Sequence, residues 1–337
     1  MSDTTDAGIR KPSLIRPEAF WPADFPLSRE SVESARQHGV LSLQRFMANQ
    51  QLPAAYEPVF SALIIPMAAW LIRARGSRQQ PLMLAMGGAQ GTGKTTMARA
   101  LALVLERCFA TSACVLSLDD FYRSRRERAD LGRGLHPLLA TRGVPGTHDV
   151  DLLARTLERL RTADSQDRIR LPRFDKHRDD QAPPQQQRSI SGRPDIVILE
   201  GWCLGARPQT TAQLERPVNE LEALEDPDGR WRRYVNDQLA GPYQDLLNAM
   251  DYRLHLAAPD WQAIRRWRWQ QEKQLMGQQR ERYQGGLQTR DAFDRFMAHY
   301  QRLSQSLMDD GGNHAEMCLQ LDQQQRLSRL LLNLADL

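Results

Sequence analysis

The segment Leu82-Met-Leu-Ala-Met86-Gly-Gly88-Ala-Gln-Gly91-Thr92-Gly93-Lys94-Thr95-Thr96 decides the fold. An apolar run of strand length (82–86) leads into it, and an amphipathic helical pattern (94–109) leads out. Between them, Gly88 to Thr95 satisfies GxxxxGK[ST] in the strand-turn-helix setting that gives the pattern its meaning. Glycines let the backbone wrap an anion, and the helix N-terminus aims N–H groups at it. Lys94 reaches the β and γ phosphates of a nucleotide, and the Thr95 hydroxyl is a ligand for Mg²⁺. Gly88, Gly91, Thr92, Gly93, Lys94, Thr95 and Thr96 are therefore the candidate nucleotide contacts. No NKxD stretch occurs, which disfavours guanine and leaves ATP as the expected nucleotide.

Outward from this loop, short apolar runs alternate with helical patterns. The runs are 82–86, 115–118, 169–171, 195–200, 252–257 and 317–321. Helices are expected over 94–109, 149–163, 231–249, 260–276 and 290–308, with a last one over 323–335. Such alternation predicts an α/β fold of the P-loop type, a mainly parallel sheet wrapped by helices. Ahead of it, residues 1–25 read as a mobile tail and 26–80 as a helical N-terminal extension, with 81–337 as the main domain. The polar stretch 179–194 reads as a flexible loop, and 205–229 as a long irregular connection.

Composition narrows the classes. Across 337 residues, 45 Lys and Arg oppose 41 Asp and Glu, so the net charge of +4 is a small surplus and does not call for a nucleic-acid partner. The longest apolar stretch, 60–72, has 13 residues and contains Pro66, short of a bilayer crossing, so no membrane association is expected. The N-terminal residues lack the apolar core of a secretory signal. Cys108, Cys114, Cys203 and Cys318 lie far apart without a CxxC, consistent with buried thiols in a reducing cytoplasm. Only four of the basic residues are lysines (Lys11, Lys94, Lys176, Lys273), so a lysine within a motif is informative.

In a doubly wound sheet, ligands gather at the carboxyl ends of the strands. Two such ends are acidic: Asp119 and Asp120 follow 115–118, and Glu200 closes 195–200. A carboxylate beside an acceptor hydroxyl takes its proton during phosphoryl transfer, and one beside Mg²⁺ holds the metal. Asp119 is assigned the first role and Glu200 the second; Asp120 reads equally as a turn residue.

Together GxxGTGKTT, SLDDFY, RGVPGTHD, LPRFDK and ILEGW resemble the P-loop kinases of small alcohols, over about residues 82–321. These include uridine kinase, phosphoribulokinase, pantothenate kinase and, above all, D-glycerate 3-kinase of the plant and fungal type. The resemblance implies a catalytic base at Asp119 and a metal-associated carboxylate at Glu200. It places Arg142-Gly-Val-Pro-Gly146-Thr-His148-Asp149 and Pro172-Arg173-Phe-Asp175-Lys176 on the blocks that distinguish glycerate kinases from uridine kinases. Arg142, His148, Arg173 and Lys176, with Asp120 and Tyr122, are then the candidate contacts of a small acidic substrate, and cations suit its carboxylate. Where the family continues the lysine with a Gly-rich stretch, this chain has His177-Arg-Asp-Asp180. Asp149 also reads as an N-cap, and the basic residues as partners of structural carboxylates.

Asp260 to Glu272 (DWQAIRRWRWQQE) carries Arg265 and Arg268 on one helical face. In the related kinases this helix is a lid whose arginines meet the transferring phosphoryl group, which makes both candidate catalytic residues beside Asp119 and Lys94. The expected activity is transfer from Mg²⁺-ATP to the primary hydroxyl of D-glycerate. The alternatives are a uridine-kinase-like or other small-alcohol kinase, and an ATP-binding switch protein. Oligomeric state stays open.

Overall fold

The computed structural model describes residues 20–21, 26–278, 289–310 and 312–333. Its strands are β1 (Leu82–Gly88), β2 (Ala113–Ser117), β3 (Arg168–Arg170), β4 (Phe174–Asp175), β5 (Asp180–Gln181), β6 (Ser189–Ser191), β7 (Ile196–Gly201), β8 (Tyr252–Ala257), β9 (Met317–Leu321) and β10 (Leu327–Leu332). Six of them form the central sheet in the order β10-β9-β8-β1-β7-β2. Every neighbouring pair is parallel except β9 with β10. β1 is buried along its whole length, as a central parallel strand covered on both faces must be. Met83 and Ala85 face one core, while Leu82, Leu84 and Met86 face the other, the period-2 alternation of a pleated strand.

The second of these cores contains the N-terminal helices. Arg29–Asn49 and the continuous helical run Ala54–Arg75 pack with the helix Lys94–Phe109 against one face of the sheet, and Phe20 and Trp21 are buried in the same cluster. The other residues expected to form a mobile tail (1–19 and 22–25) lie outside the described residues. By length and composition Ala54–Arg75 is apolar enough to cross a bilayer, with a mean hydropathy of 1.5 over its best window. Yet 61% of that window is buried inside the protein, and a core helix passes the same test.

Three expectations are corrected. The described part of the segment expected as a helix over 323–335 is not helical: Leu327, Leu330, Leu331 and Leu332 lie on β10, which turns back through Asp322–Arg326 to pair antiparallel with β9, and residues 334–335 lie outside the described residues. The leucine spacing imitates a helix, but Leu330 is buried while Ser328 and Arg329 are exposed, as an edge strand requires. The run 169–171 does not join the sheet. β3 instead pairs antiparallel with β6 in a separate ribbon, with Ile169 buried between exposed Arg168 and Arg170. The stretch 179–194, expected as an unstructured loop, therefore carries β5 and β6. The connection 205–229 holds two short helices, Thr211–Glu215 and Glu220–Glu225. Sequence reading also passed over the helix Arg125–Gly134, although Ser124 and Glu127 form a capping box at its start.

Candidate active site

The loop after β1 is shaped by glycines. Gly93 takes a left-handed conformation immediately before the helix Lys94–Phe109, so the first free N–H groups of that helix face the loop. Lys94 is buried, and its Nζ donates to Ala89 O at 2.9 Å. Thr92 Oγ1 donates to the same carbonyl at 2.8 Å. Burial lowers the Lys94 pKa, against the opposing pull of Glu200 and Asp119.

Parallel registry sets the acidic strand ends beside this loop. Glu200 lies on β7 between Met86 of β1 and Ser117 of β2. Thr95 Oγ1 donates to Glu200 Oε1 at 2.8 Å. A hydroxyl and a carboxylate held this close are an oxygen donor pair suited to a hard cation that takes its other ligands from water and phosphates. Among the described residues no cluster of three or more His, Cys, Asp or Glu could hold a metal by itself. Thr96 is half-buried on the next position of the helix.

After β2 the chain makes one tight turn, Leu118–Phe121, which sends its adjacent carboxylates to different neighbours. Asp119 accepts from Lys176 Nζ at 2.6 Å and from Tyr122 Oη at 3.1 Å. Burial alone would raise its pKa; the Lys176 ammonium overrides this and holds the carboxyl well below the usual carboxylate range. Asp120 instead accepts from Phe174 N at 3.2 Å, pinning the segment that carries Lys176. Burial raises the Asp120 pKa.

The 142–149 block wraps around this centre. Tyr122 stacks on His148 with ring centroids 4.3 Å apart, and Phe174 meets Tyr122 edge-on at 5.3 Å. His148 is 1% exposed; its Nδ1 lies 2.5 Å from Tyr243 Oη, and its Nε2 is buried without a partner. Burial pushes the imidazole down to about 3 although Asp119 pulls upward, so the ring is neutral. At Gly143, with φ +147°, a Cβ would fall 2.2 Å from Tyr300 Oη. Glycine is thus required for Tyr300 to close on the block, and Trp202 Nε1 secures it by donating to Gly143 O at 2.9 Å.

Lys176, Tyr122 and His148 are thereby gathered around Asp119. Arg142 stands behind them, paired with Asp179 and over the Phe174 ring. Arg173 is not brought to Asp119: it is exposed, and its guanidinium lies 3.4 Å from Gln186 O. The helix expected to be a lid runs Trp261–Gln278, with Asp260 accepting from Ala263 N as its N-cap. It lies on the phosphate loop, since a Cβ on Gly91 would meet Trp267 Cβ at 3.0 Å and Arg268 N at 3.3 Å. Arg268 pairs with Glu272, and Arg265 with Asp294 at 2.6 Å. The Gln325 side chain, in the β9–β10 turn, donates to Gly91 O.

Sequence reading missed Tyr243, Tyr300, Arg128 and Gln325. Gly241-Pro242 inside a helical pattern marks the π-turn that presents Tyr243. Arg128, 1% exposed, bonds Arg123 O, Ala140 O and Asp179, holding the loops around Phe174. No local signal marks Tyr300 or Gln325.

A phosphate loop at the switch of a parallel sheet, with carboxylates at the neighbouring strand ends and an arginine-bearing helix above, defines a P-loop phosphotransferase. The chain is 30% identical over 234 residues to the uncharacterized kinase mug58 of Schizosaccharomyces pombe, covering 66% of this chain and 79% of that one. It is 31% identical over 194 residues to the chloroplastic D-glycerate 3-kinase of Arabidopsis thaliana, covering 53% and 41%. The solved D-glycerate 3-kinase of Cryptococcus neoformans has the same fold, with a TM-score of 0.64 at 23% identity over 80% of this chain and 99% of that one. No model of a protein family matches the chain. The chain belongs to the P-loop small-molecule kinases, enzymes that transfer a phosphoryl group from ATP.

Proposed function

We propose that the chain is a Mg²⁺-dependent D-glycerate 3-kinase, forming ADP and 3-phospho-D-glycerate. The observation that carries this reading is the Lys176–Asp119 contact at 2.6 Å: the carboxylate in the position of the base is held by an exposed cation that an acidic acceptor would attract. The plant and fungal D-glycerate 3-kinases among the relatives and solved structures agree with it.

In this reading the loop amides and Lys94 hold the β and γ phosphates. Thr95 and Glu200 would hold Mg²⁺, which when bound draws off charge from the phosphate oxygens. The acceptor's carboxylate draws Lys176 away from Asp119. Asp119, freed of its counter-ion, gains proton affinity and takes the hydroxyl proton as the oxygen attacks in line. His148 Nε2–H and Arg142 orient the acceptor. Arg268 leaves Glu272, and with Arg265 it stabilises the equatorial oxygens. Without an acidic acceptor Asp119 stays paired, which restrains transfer to water. Asp120 and Arg173 are set aside from direct substrate contact.

A coupled ADP-release assay with Mg²⁺-ATP tests this against D-glycerate, L-glycerate, uridine, pantothenate, ribulose 5-phosphate and no acceptor. D-glycerate should dominate, with kcat reduced roughly 10²–10⁴-fold in Asp119→Asn and about 10²–10³-fold in Lys94→Ala. Turnover confined to another alcohol would retain the chemistry and discard the acceptor. Acceptor-independent nucleotide binding alone would favour the switch protein.

A further inference from the structure

Beside Asp120, arginines converge from separate elements. Arg155 and Arg159 stand one turn apart on the helix Val150–Thr162, and Arg168 and Arg170 share the exposed face of β3. A cavity of about 480 Å³ is lined by Arg155, Arg159, Arg170 and Arg173. An adjoining one of about 650 Å³ shares Arg159, Arg170 and Gln187 and adds Arg168. Asp120 is the one carboxylate in either lining.

Some exposed arginines elsewhere pair with carboxylates, as Arg295 does with Glu225 and Arg326 with Asp322. Among the described residues, the side chains of Arg155, Arg159, Arg168 and Arg170 make no ion pair or hydrogen bond, although Asp151 and Glu158 lie on the same helix as the first two. Concentrated like charge in a concave surface is costly unless an anion neutralises it, and guanidinium forks match phosphate oxygens two at a time. No aromatic ring lines either cavity, so the stacking platform of a single-stranded nucleic-acid surface is missing.

We propose that this trough binds a small, multiply charged phosphate compound at a site separate from the phosphate loop. Several guanidinium groups facing one carboxylate suit a ligand bearing at least two phosphoryl groups, each met by arginines from a different wall. Since Asp120 borders the trough and also holds Phe174 N, the ligand would sit directly behind the segment carrying Lys176.

The test is isothermal titration of inorganic pyrophosphate into the full chain carrying Lys94→Ala, which weakens competition from the phosphate loop. One binding event should remain. Arg155→Ala/Arg159→Ala and Arg168→Ala/Arg170→Ala, added separately, should each weaken it at least tenfold, while circular dichroism melts stay close to the parent. Arg155→Lys/Arg159→Lys, keeping charge without the fork, should weaken it less. Binding untouched by both alanine pairs overturns the proposal. So does tighter arginine-dependent binding of an oligonucleotide than of pyrophosphate, which would make the trough a nucleic-acid surface. An alanine pair that raises the acceptor KM while leaving pyrophosphate binding intact would assign the trough to the acceptor and overturn it equally. None of the binding arms depends on the identity of the acceptor.

Discussion

Lys176 Nζ stands 2.6 Å from Asp119 Oδ2, and Tyr122 Oη takes the other oxygen, so the carboxylate proposed as the base has a partner on each oxygen before any acceptor arrives. Were Asp119 and His148 to titrate at ordinary values, the pH profile would fall on the acid side from about 6.5 downward, and further at about 4. Both groups titrate lower than that: the Lys176 ammonium overcomes burial at Asp119, and burial takes His148 to about 3. The profile of kcat/KM, which reports the free enzyme, should therefore stay level from neutrality down to about pH 5. Lys176→Met leaves burial unopposed by that cation, and its acid limb should rise above the ordinary aspartate value of about 4. Coincident acid limbs in parent and variant would remove Asp119 from the role of base.

Stability carries the same signs. Both groups have depressed folded pKa values, so the unfolded chain takes up protons that the native one refuses. Stability should decline as pH falls below about 6.5, first through His148, and further below about 4 through Asp119. Urea midpoints across this range, in parent and His148→Asn, separate the two: the variant should lose the upper part of the decline.

Tyr243 sets the proton on His148. Gly146 N–H donates to Tyr243 Oη at 3.3 Å, so the hydroxyl proton goes to Nδ1 and the imidazole keeps N–H at Nε2. Tyr243→Phe removes both bonds and should cost about 1–3 kcal/mol in urea unfolding. It should also raise the acceptor KM more than it lowers kcat, because the ring is then free to change tautomer.

Glu200→Gln keeps the shape of the Thr95 contact and removes the charge. A Mg²⁺ titration at fixed ATP should move to higher concentration by about tenfold or more, in line with the cost of disturbing a metal's carboxylate partners. An unchanged titration would place the cation elsewhere.

Away from the centre, Arg302 and Glu222 form a buried pair at 2.6 Å, with Arg302 also bonded to Gln213 O and Arg216 O. Arg302→Met strands a fully buried carboxylate and should cost about 3–5 kcal/mol. Thermal melting and urea unfolding would both register it, with little change in nucleotide affinity.

What the sequence disclosed followed physical locality. The phosphate loop and the parallel strands were legible because their chemistry is contiguous: an apolar run, glycines, a lysine and a helix. The two acidic strand ends were legible because sheet topology turns adjacency in space into a rule. β10 was misread because Leu327, Leu330 and Leu331 satisfy helical spacing, and only pairing with β9 decides between the periods. Arg173 does not follow Lys176 to Asp119, since an extended segment sends residues an odd number apart to opposite sides. Tyr243 lies 95 residues from His148, a separation no local pattern bridges.

β1 acquires its partners late. In registry, Leu82 meets Ile196 and Leu84 meets Tyr252, while the helices on its other flank are complete by residue 75. On a ribosome the phosphate loop would thus leave the exit tunnel early but wait for more than a hundred further residues before its strand had a neighbour. During that interval the apolar face of Ala54–Arg75 has only the helix Arg29–Asn49 and the emerging helix Lys94–Phe109 to cover it, and no sheet. Non-local pairing of this kind slows folding and exposes adhesive surface, so synthesis of this enzyme should depend on chaperones to a degree that the finished enzyme, once closed, no longer betrays.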